Sequence, residues 1–251
     1  MRILGIDAST PTASVAILEN GELVVEEIYP KNLVDSREDP AHRVGNHAEI
    51  ILPLIQLTLE QARIALADLS GIALSIGPGS FTGLRISLAT VKGIAYGAGL
   101  PVVGISTLHA NAARVTGGDG IICALLDARK HEVYAALFQR HNGSLKRLSE
   151  DTVLSIAEAM ERIRILSAGA TRSLTIVGPG AKVYEPLLAQ RFGKAALIAP
   201  GSEFGSVAAQ VAALSWDRFC AATTDALGAL TPYYLRASEA ESSRARSALT
   251  C

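Results

Sequence analysis

The stretch ILGIDASTPTASVAIL, residues 3–18, decides the fold, because it reads as two apolar strands joined by the short polar turn STPT. A second stretch, IICALLDARKHEVYAALF at residues 121–138, can be laid on it strand for strand, with Asp127 over Asp7. Further along each half, LSIGPGSFT and TIVGPGAKV both read as an apolar strand that runs into a Gly-Pro-Gly turn. Two matching blocks in the same order predict an ancient duplication and therefore two related lobes.

Predicted strands and helices alternate along both halves, which is typical of an α/β fold. Residues 72–76 read as a strand, and residues 80–98 have the apolar spacing of a helix. We therefore expect two related lobes, each a mixed sheet flanked by helices. The N-terminal lobe is predicted over residues 1–116 and the C-terminal lobe over residues 117–235.

The composition excludes several classes of protein. Of 251 residues, 49% are hydrophobic and 19% charged, and no apolar run reaches the roughly 18 to 20 residues that span a bilayer. The 23 basic and 24 acidic residues give a formal charge of −1, so global charge does not favour nucleic acid. Cys123, Cys220 and Cys251 form no CxxC pair, which argues against a zinc thiolate site. We expect a cytoplasmic protein with no membrane span and a disordered tail over residues 236–251.

The glycine-rich turn of SIGPGSFTGLRIS, residues 75–87, matches no phosphate or nucleophile motif. Thr82 stands where both GxxxxGK[ST] and GxGxxG need a glycine. The hydrolase pattern GxSxG, centred on Ser80, would need glycines in place of Pro78 and Thr82. The turn therefore predicts a tight connection from a strand to a helix that Ser80 caps.

The turn within DASTPTASVA carries the candidate nucleotide-binding residues. In the sugar kinase, Hsp70 and actin superfamily, an aspartate ends the first strand, and hydroxyls in the following turn receive phosphate. Asp7, Ser9, Thr10 and Thr12 partly fit this pattern. The corresponding second turn, DARKHEV, has no glycine and several long side chains, so we expect its bulk to keep a nucleotide out.

Metal ligands and a covalent nucleophile find little support in the sequence. His42 and His47 flank a turn and Glu49 is close, but neither HExxH nor HxxxH occurs. No histidine and carboxylate can be assigned by spacing to a serine or cysteine nucleophile. We therefore predict no metal and no cofactor.

The blocks ILGIDASTPTASVAIL, HAEIILPLI, SIGPGSFTGLRIS, PVVGISTLHANA and PYYLR, in this order, resemble the TsaB family of the bacterial machinery that makes threonylcarbamoyladenosine in tRNA. The resemblance implies an actin-like (ASKHA) fold and a role as the inactive relative of TsaD, which transfers threonylcarbamoyl to the tRNA adenosine beside the anticodon. TsaD-like sequences carry a metal-binding HxxxH, and here those two positions are Thr107 and Asn111. The resemblance thus implies a non-catalytic subunit without that metal.

The same resemblance implies the partners. It predicts a heterodimer with a TsaD-like subunit through helices of the first lobe, a TsaE-like ATPase in the larger complex, and only indirect contact with tRNA. Whether the chain forms a homodimer through the same helices when it is alone stays open at the level of sequence. Because each of the two helices has apolar residues to spare, the candidate interface residues are His47, Ile50, Leu54, Thr58, Leu84, Arg85, Leu88, Val91 and Lys92. If Leu88 faces outward, Leu88→Glu is predicted to abolish pairing and leave the fold intact, whereas unfolding would place Leu88 in the core.

Two other functions stay open at the level of sequence. An ASKHA-type ATPase or kinase would use Asp7 and Thr10 of the first turn, and nucleotide hydrolysis that is lost in Asp7→Ala would support it. A metallopeptidase is the other alternative, although the missing HxxxH counts against it.

Overall fold

The computed structural model describes residues 1–30, 47–167, 173–199 and 205–236. The predicted disordered tail lies outside this part of the chain apart from Arg236, and His42 also lies outside it. No helix in the described residues has the length and apolar character needed to cross a bilayer.

The first sheet has five strands in the order β3-β2-β1-β4-β5. These strands are β1 (Arg2–Asp7), β2 (Ala13–Glu19), β3 (Glu22–Tyr29), β4 (Gly71–Gly77) and β5 (Val102–Ser106). The meander β1-β2-β3 is antiparallel, whereas β4 and β5 are parallel to β1. The sheet is therefore mixed, as predicted.

The second sheet repeats this arrangement, with the order β11-β10-β6-β7-β8 and β9 paired to β7. Its strands are β6 (Gly120–Arg129), β7 (Glu132–His141), β8 (Ser144–Arg147), β9 (Thr152–Ser155), β10 (Ser173–Val177) and β11 (Ala196–Ala199). Again the first three strands are antiparallel, and β10 and β11 run parallel to the first of them. The shared strand order confirms the predicted α/β, actin-like (ASKHA) fold of two related mixed sheets.

Seven helices of the described residues cover the sheets. They are α1 (His47–Ala62), α2 (Phe81–Ala98), α3 (Thr107–Arg114), α4 (Ile156–Ser167), α5 (Pro179–Val183), α6 (Glu185–Phe192) and α7 (Val207–Cys220). Helices α1 and α2 share one apolar cluster with the first sheet, and α4, α5 and α6 share another with the second. Helix α3 lies between the sheets, where it contacts strands of both and α7. The partner-binding helices predicted from sequence, α1 and α2, thus lie on the outside of the first lobe.

The last described segment corrects the predicted domain boundary. Residues 117–235 were assigned to the second lobe, but α7 packs on the first sheet, against the face opposite α1 and α2. A Cβ atom on Gly5 would lie 2.2 Å from the Ala208 carbonyl oxygen, so the helix backbone rests directly on β1. Beyond α7, Asp225 forms a β-bridge to Val102. By returning, the chain covers β1 and β2 on a face of the first sheet where α3 packs against β4 and β5.

Candidate functional site

The turn between β1 and β2 brings the candidate nucleotide-binding residues together, but their polar groups point at one another. The Ser9 hydroxyl donates a hydrogen bond to Asp7 Oδ1 at 2.6 Å, and the Ser9 backbone N–H donates to the same oxygen at 3.3 Å. The hydroxyls of Thr10 and Thr12 lie 2.8 Å apart. Asp7 is only 1% exposed, and Ser9 and Thr10 are also buried. A phosphate at this turn would therefore have to displace existing hydrogen bonds.

Burial raises the pKa of the Asp7 carboxyl above its ordinary value, because the charged form loses its hydration. The Ser75 and Ser9 side chains, the Ser9 backbone N–H and the Arg114 guanidinium act in the opposite direction without cancelling the effect. The Ser75 hydroxyl is itself buried and faces the Asp7 carboxyl. Asp7 is thus a buried carboxyl that holds the turn together, as well as a candidate nucleotide-binding residue.

Asp7→Asn is expected to stabilise the protein at neutral pH by about 1 kcal/mol, within the usual range for single substitutions. The folded-state pKa of Asp7 lies above 3.8, so its contribution to stability is most favourable below that pH and is lost as the pH rises through the folded-state pKa. In the variant the amide oxygen still accepts from Ser9, and the amide N–H₂ can donate to Ser75.

The measurement is urea unfolding from pH 4 to pH 8, with Asp217→Asn on the exposed surface of α7 as the matched control. We expect the stability advantage of Asp7→Asn to grow with pH, while the control tracks the wild type. An Asp7→Asn protein that is less stable than the wild type at pH 8 would mean that the ionised carboxylate holds the turn together.

The glycine-rich turn before α2 closes against the first turn. The Ser80 backbone N–H donates to the Ser9 carbonyl oxygen at 2.6 Å. A Cβ on Gly79 would lie 2.3 Å from that oxygen, and a Cβ on Gly83 would lie 2.0 Å from the Ala8 carbonyl oxygen. The predicted N-cap is present, since the Ser80 hydroxyl accepts from the Gly83 N–H at 3.2 Å. The glycines therefore allow α2 to begin in backbone contact with the β1–β2 turn.

Thr107 and Asn111, which the family resemblance places at the HxxxH of TsaD-like sequences, are both buried. Asn111 donates a side-chain hydrogen bond to the Thr107 carbonyl oxygen at 2.9 Å, and its amide oxygen accepts from Arg114 at 3.2 Å. The Arg114 guanidinium also donates to the Gly205 carbonyl oxygen. A guanidinium thus lies beside these two positions, and the described residues contain no group of three or more potential metal-ligating side chains.

The structure corrects most of the predicted interface. Six of the nine candidate residues are buried in the chain itself: His47, Leu54, Thr58, Leu84, Leu88 and Val91. Leu54, Leu88 and Val91 belong to the apolar cluster beneath the two helices, His47 lies 3.1 Å from the Thr10 carbonyl oxygen, and Thr58 donates to the Leu54 carbonyl oxygen. These side chains cannot contact a partner because they already hold α1 and α2 on the sheet. Ile50 is half-buried at the edge of the same cluster.

The outer surface of the two helices carries a different set of residues. On α1, Leu52 is 55% exposed and Leu57 is 37% exposed, and on α2, Tyr96 is 86% exposed. Ala89 is also exposed on α2 and shares a helix face with Gly93 and Tyr96. Two adjacent helices therefore present an apolar outer surface, which we call the α1/α2 face.

Two glycines on the α1/α2 face have no role within the described residues. A Cβ on Gly93 or Gly97 would meet no atom within 4 Å. Each glycine nevertheless costs a helix about 1 kcal/mol relative to alanine. With Ala89, they form a row of small residues at a spacing of four, where a second backbone could approach closely. This spacing was visible in the sequence, but the prediction followed the large apolar residues instead.

Arg85 and Lys92, the two charged residues among the interface candidates, both contact the returning C-terminal segment. Arg85 Nε donates to the Tyr234 hydroxyl at 2.9 Å, and its guanidinium carbon lies 3.8 Å from the Phe81 ring centroid. Lys92 Nζ donates to a backbone carbonyl oxygen, that of Gly228, at 3.4 Å. The GPGSFTGLRI and PYYLR blocks, far apart in sequence, thus meet at the start of α2.

Comparison of this sequence with known protein families gives the same family as the resemblance noted above. A family model described as "TsaD: tRNA N6-adenosine threonylcarbamoyltransferase" matches residues 39–244. The Escherichia coli tRNA threonylcarbamoyladenosine biosynthesis protein TsaB is 32% identical over 240 residues, covering 94% of this chain and 95% of its own. The Bacillus subtilis protein of the same name is 29% identical over 242 residues, covering 96% of both chains.

Solved structures give the same result. YeaZ from Pseudomonas aeruginosa superimposes with a TM-score of 0.70 at 25% identity, covering 93% of this chain and 99% of its own. A second Pseudomonas aeruginosa structure, described as an uncharacterized protein with similarity to peptidase YeaZ, gives a TM-score of 0.70 at 26% identity, covering 94% and 99%. The chain therefore belongs to the family that the TsaD model describes and, within it, to the proteins named TsaB.

Proposed function

We propose that this protein is a non-catalytic subunit in the biosynthesis of threonylcarbamoyladenosine in tRNA, and that it binds a TsaD-type transferase through the α1/α2 face. The relatives that carry the TsaB name support the pathway. The observation that carries the proposed role is the exposed row of Ala89, Gly93 and Gly97 on α2, since nothing within the described residues requires those glycines. We also propose that a TsaE-type ATPase joins this complex and that the complex acts in the cytoplasm.

The polar residues of the β1–β2 turn and of α3 support a subunit without its own chemistry. Asp7 and Ser9 are buried and hydrogen-bonded to each other, and Thr10 and Thr12 face one another. Asn111 and Arg114 form a hydrogen bond beside Thr107, where TsaD-like sequences have the ligands of a metal. A kinase would need the polar groups of the turn for its nucleotide, and a metallopeptidase would need metal ligands at Thr107 and Asn111. The polar groups of the turn and the Asn111 side chain are already hydrogen-bonded within the chain.

The test is formation of threonylcarbamoyladenosine on unmodified tRNA in a reaction that contains TsaC, TsaD and TsaE. We expect product when this chain is added to all three, at least tenfold less when it is left out, and none when it replaces TsaD. Equal product with and without the chain would overturn the proposed role. Saturable nucleotide hydrolysis by the chain alone, lost in Asp7→Ala, would favour the kinase or ATPase alternative.

Self-association is a second expected use of the α1/α2 face. Because a homodimer through this face would bury the surface that binds the partner, homodimer and heterodimer would exclude each other. Sedimentation velocity of the chain with increasing amounts of a TsaD-type partner should show the homodimer disappear as the heterodimer forms.

A further inference from the structure

Arg85 places a positive charge at one end of the α1/α2 face. It lies on α2 four residues before Ala89, so the row of Ala89, Gly93 and Gly97 continues into it at the same spacing. Residues four apart on a helix form one ridge of its surface. Arg85 is exposed, and α2 contains no acidic residue that could balance its charge. A helix that packs along this ridge would therefore meet the Arg85 guanidinium where the ridge begins.

Two aromatic rings hold the Arg85 side chain in one orientation. Its guanidinium carbon lies 3.8 Å from the Phe81 ring centroid and 5.7 Å from the Tyr234 ring centroid, and Nε donates to the Tyr234 hydroxyl at 2.9 Å. The two rings stack on each other with centroids 4.6 Å apart. The segment that carries Tyr234 is fixed to the first sheet, because the Tyr233 backbone N–H donates to the Ile76 carbonyl oxygen at 2.6 Å. Much of the freedom that an exposed arginine loses on binding is therefore already lost in the free chain.

The terminal nitrogens of Arg85, Nη1 and Nη2, keep their N–H donors for water or a ligand. Across the part of the chain that the structure describes, Arg85 makes no hydrogen bond other than the one through Nε and pairs with no carboxylate. Two parallel N–H donors of a guanidinium match the two oxygens of one carboxylate. Lys92, the other cation of α2, differs, because it is half-buried and donates to the Gly228 carbonyl oxygen.

Pairing through the α1/α2 face makes a compensating charge necessary. A helix along the ridge would remove water from the guanidinium, and a buried charge without a partner weakens binding. A phosphate can also pair with arginine, but nucleic acid is bound through several cations at once, and Arg85 is the one exposed charged residue of α2. A single guanidinium beside an apolar ridge instead fits a protein helix that carries one carboxylate.

We propose that Arg85 binds an aspartate or glutamate carboxylate on the helix of the TsaD-type partner that packs along Ala89, Gly93 and Gly97. The inference rests on the proposed function and adds to it the chemistry of the partner's surface. The row of small residues has no polar side chain that could fix the direction of a partner helix, whereas an ion pair at one end of the row fixes it. Arg85 is thus a specificity-determining residue that sets the register of the complex.

The first test measures pairing with a TsaD-type partner by isothermal titration calorimetry over a salt series. Arg85→Gln removes the charge and keeps an amide that can donate to the Tyr234 hydroxyl. The matched control is Arg162→Gln, on the exposed surface of α4. We expect at least about 30-fold weaker pairing for Arg85→Gln and a smaller dependence on salt, while Arg162→Gln pairs like the wild type. Arg85→Lys should recover only part of the loss, since lysine keeps the charge without the bidentate geometry.

The second test exchanges the two charges. Arg85→Glu should weaken pairing by at least about 100-fold, because it places one carboxylate opposite another. In that background, each exposed aspartate and glutamate of the partner's pairing surface is replaced in turn by lysine. We expect one such replacement to restore pairing by at least about tenfold, and the same replacement to weaken pairing with the wild-type chain. Failure of every replacement to restore pairing would overturn the carboxylate contact.

The outcomes separate this inference from the proposed function when Ala89→Arg is measured in the same way. Normal pairing of Arg85→Gln with weakened pairing of Ala89→Arg would overturn the carboxylate contact and leave the α1/α2 face standing. Normal pairing of both variants would overturn the face as well. Normal pairing of Arg85→Gln with weaker binding of an unmodified tRNA transcript, measured by fluorescence anisotropy, would assign Arg85 to a phosphate and overturn the proposal. A wild-type chain without measurable affinity for the partner would overturn the proposed function and this inference with it.

Discussion

Leu88→Glu is expected to unfold the first lobe rather than to break a complex. Leu88 is 7% exposed and packs in the apolar cluster between α2 and the first sheet. The substitution removes that packing and places a carboxyl where it has little access to water. We expect a loss of at least about 4 kcal/mol in the free energy of unfolding, a large part of the total of a typical domain. This expectation replaces the one drawn from the sequence, which placed Leu88 on the outside.

The neighbouring residue supplies the control, since Ala89 is exposed on the same helix. Ala89→Glu should change the unfolding free energy by less than about 0.5 kcal/mol. The measurement is urea unfolding followed by circular dichroism at pH 7 and pH 5. The Leu88→Glu protein should recover part of its stability at pH 5, where the introduced carboxyl is more readily protonated. A Leu88→Glu protein that unfolds like the wild type and no longer binds a partner would place Leu88 in the interface after all.

Local features of this fold were predictable because they depend on neighbours in sequence. The helix predicted over residues 80–98 is α2, and its N-cap is Ser80 as expected. The two matching strand pairs led correctly to two related mixed sheets, since two strands joined by a short turn form an antiparallel pair. The bulky second turn was predicted, but nothing in the sequence indicated its three positive φ angles.

Features that depend on distant residues were not predictable. The placement of α7 on the first sheet depends on how the sheet faces are packed in the complete fold. The duplicated sequence pattern instead assigns α7 to the second lobe. The contact between Arg85 and Tyr234 joins residues 149 positions apart. For α2, apolar residues on both sides left the inward face ambiguous, so Leu84, Leu88 and Val91 were taken for the surface.

The candidate site was half predictable for the same reason. Asp7, Ser9 and Thr10 do come together at one turn, because they are close in sequence, but their burial and mutual hydrogen bonds depend on the packing of the α2 start against that turn. The signal that the prediction did not use was the pair Gly93 and Gly97. Glycine within a helix lowers the stability of that helix, so two exposed glycines at a spacing of four indicate that something outside the helix needs the space.

Ala89→Arg should therefore weaken pairing with a TsaD-type partner by at least 100-fold, or about 2.7 kcal/mol. A long charged side chain at the first position of the small-residue row would keep the partner backbone away and lose its own hydration. Ala189→Arg, which makes the same change on the exposed surface of α6, should pair like the wild type in isothermal titration calorimetry.

Gly93→Ala tests the same face because it is expected to raise the stability of the free protein and to weaken pairing with the partner. The added methyl group meets no atom within 4 Å in the chain, so the free protein should gain up to about 1 kcal/mol of stability from the better helix former. The same methyl group would obstruct a closely approaching helix, so pairing should weaken by about tenfold. Because a merely damaged protein cannot become more stable, this combination separates an interface from a folding defect. Stronger folding with unchanged pairing, together with normal pairing of Ala89→Arg, would mean that the partner binds somewhere other than the α1/α2 face.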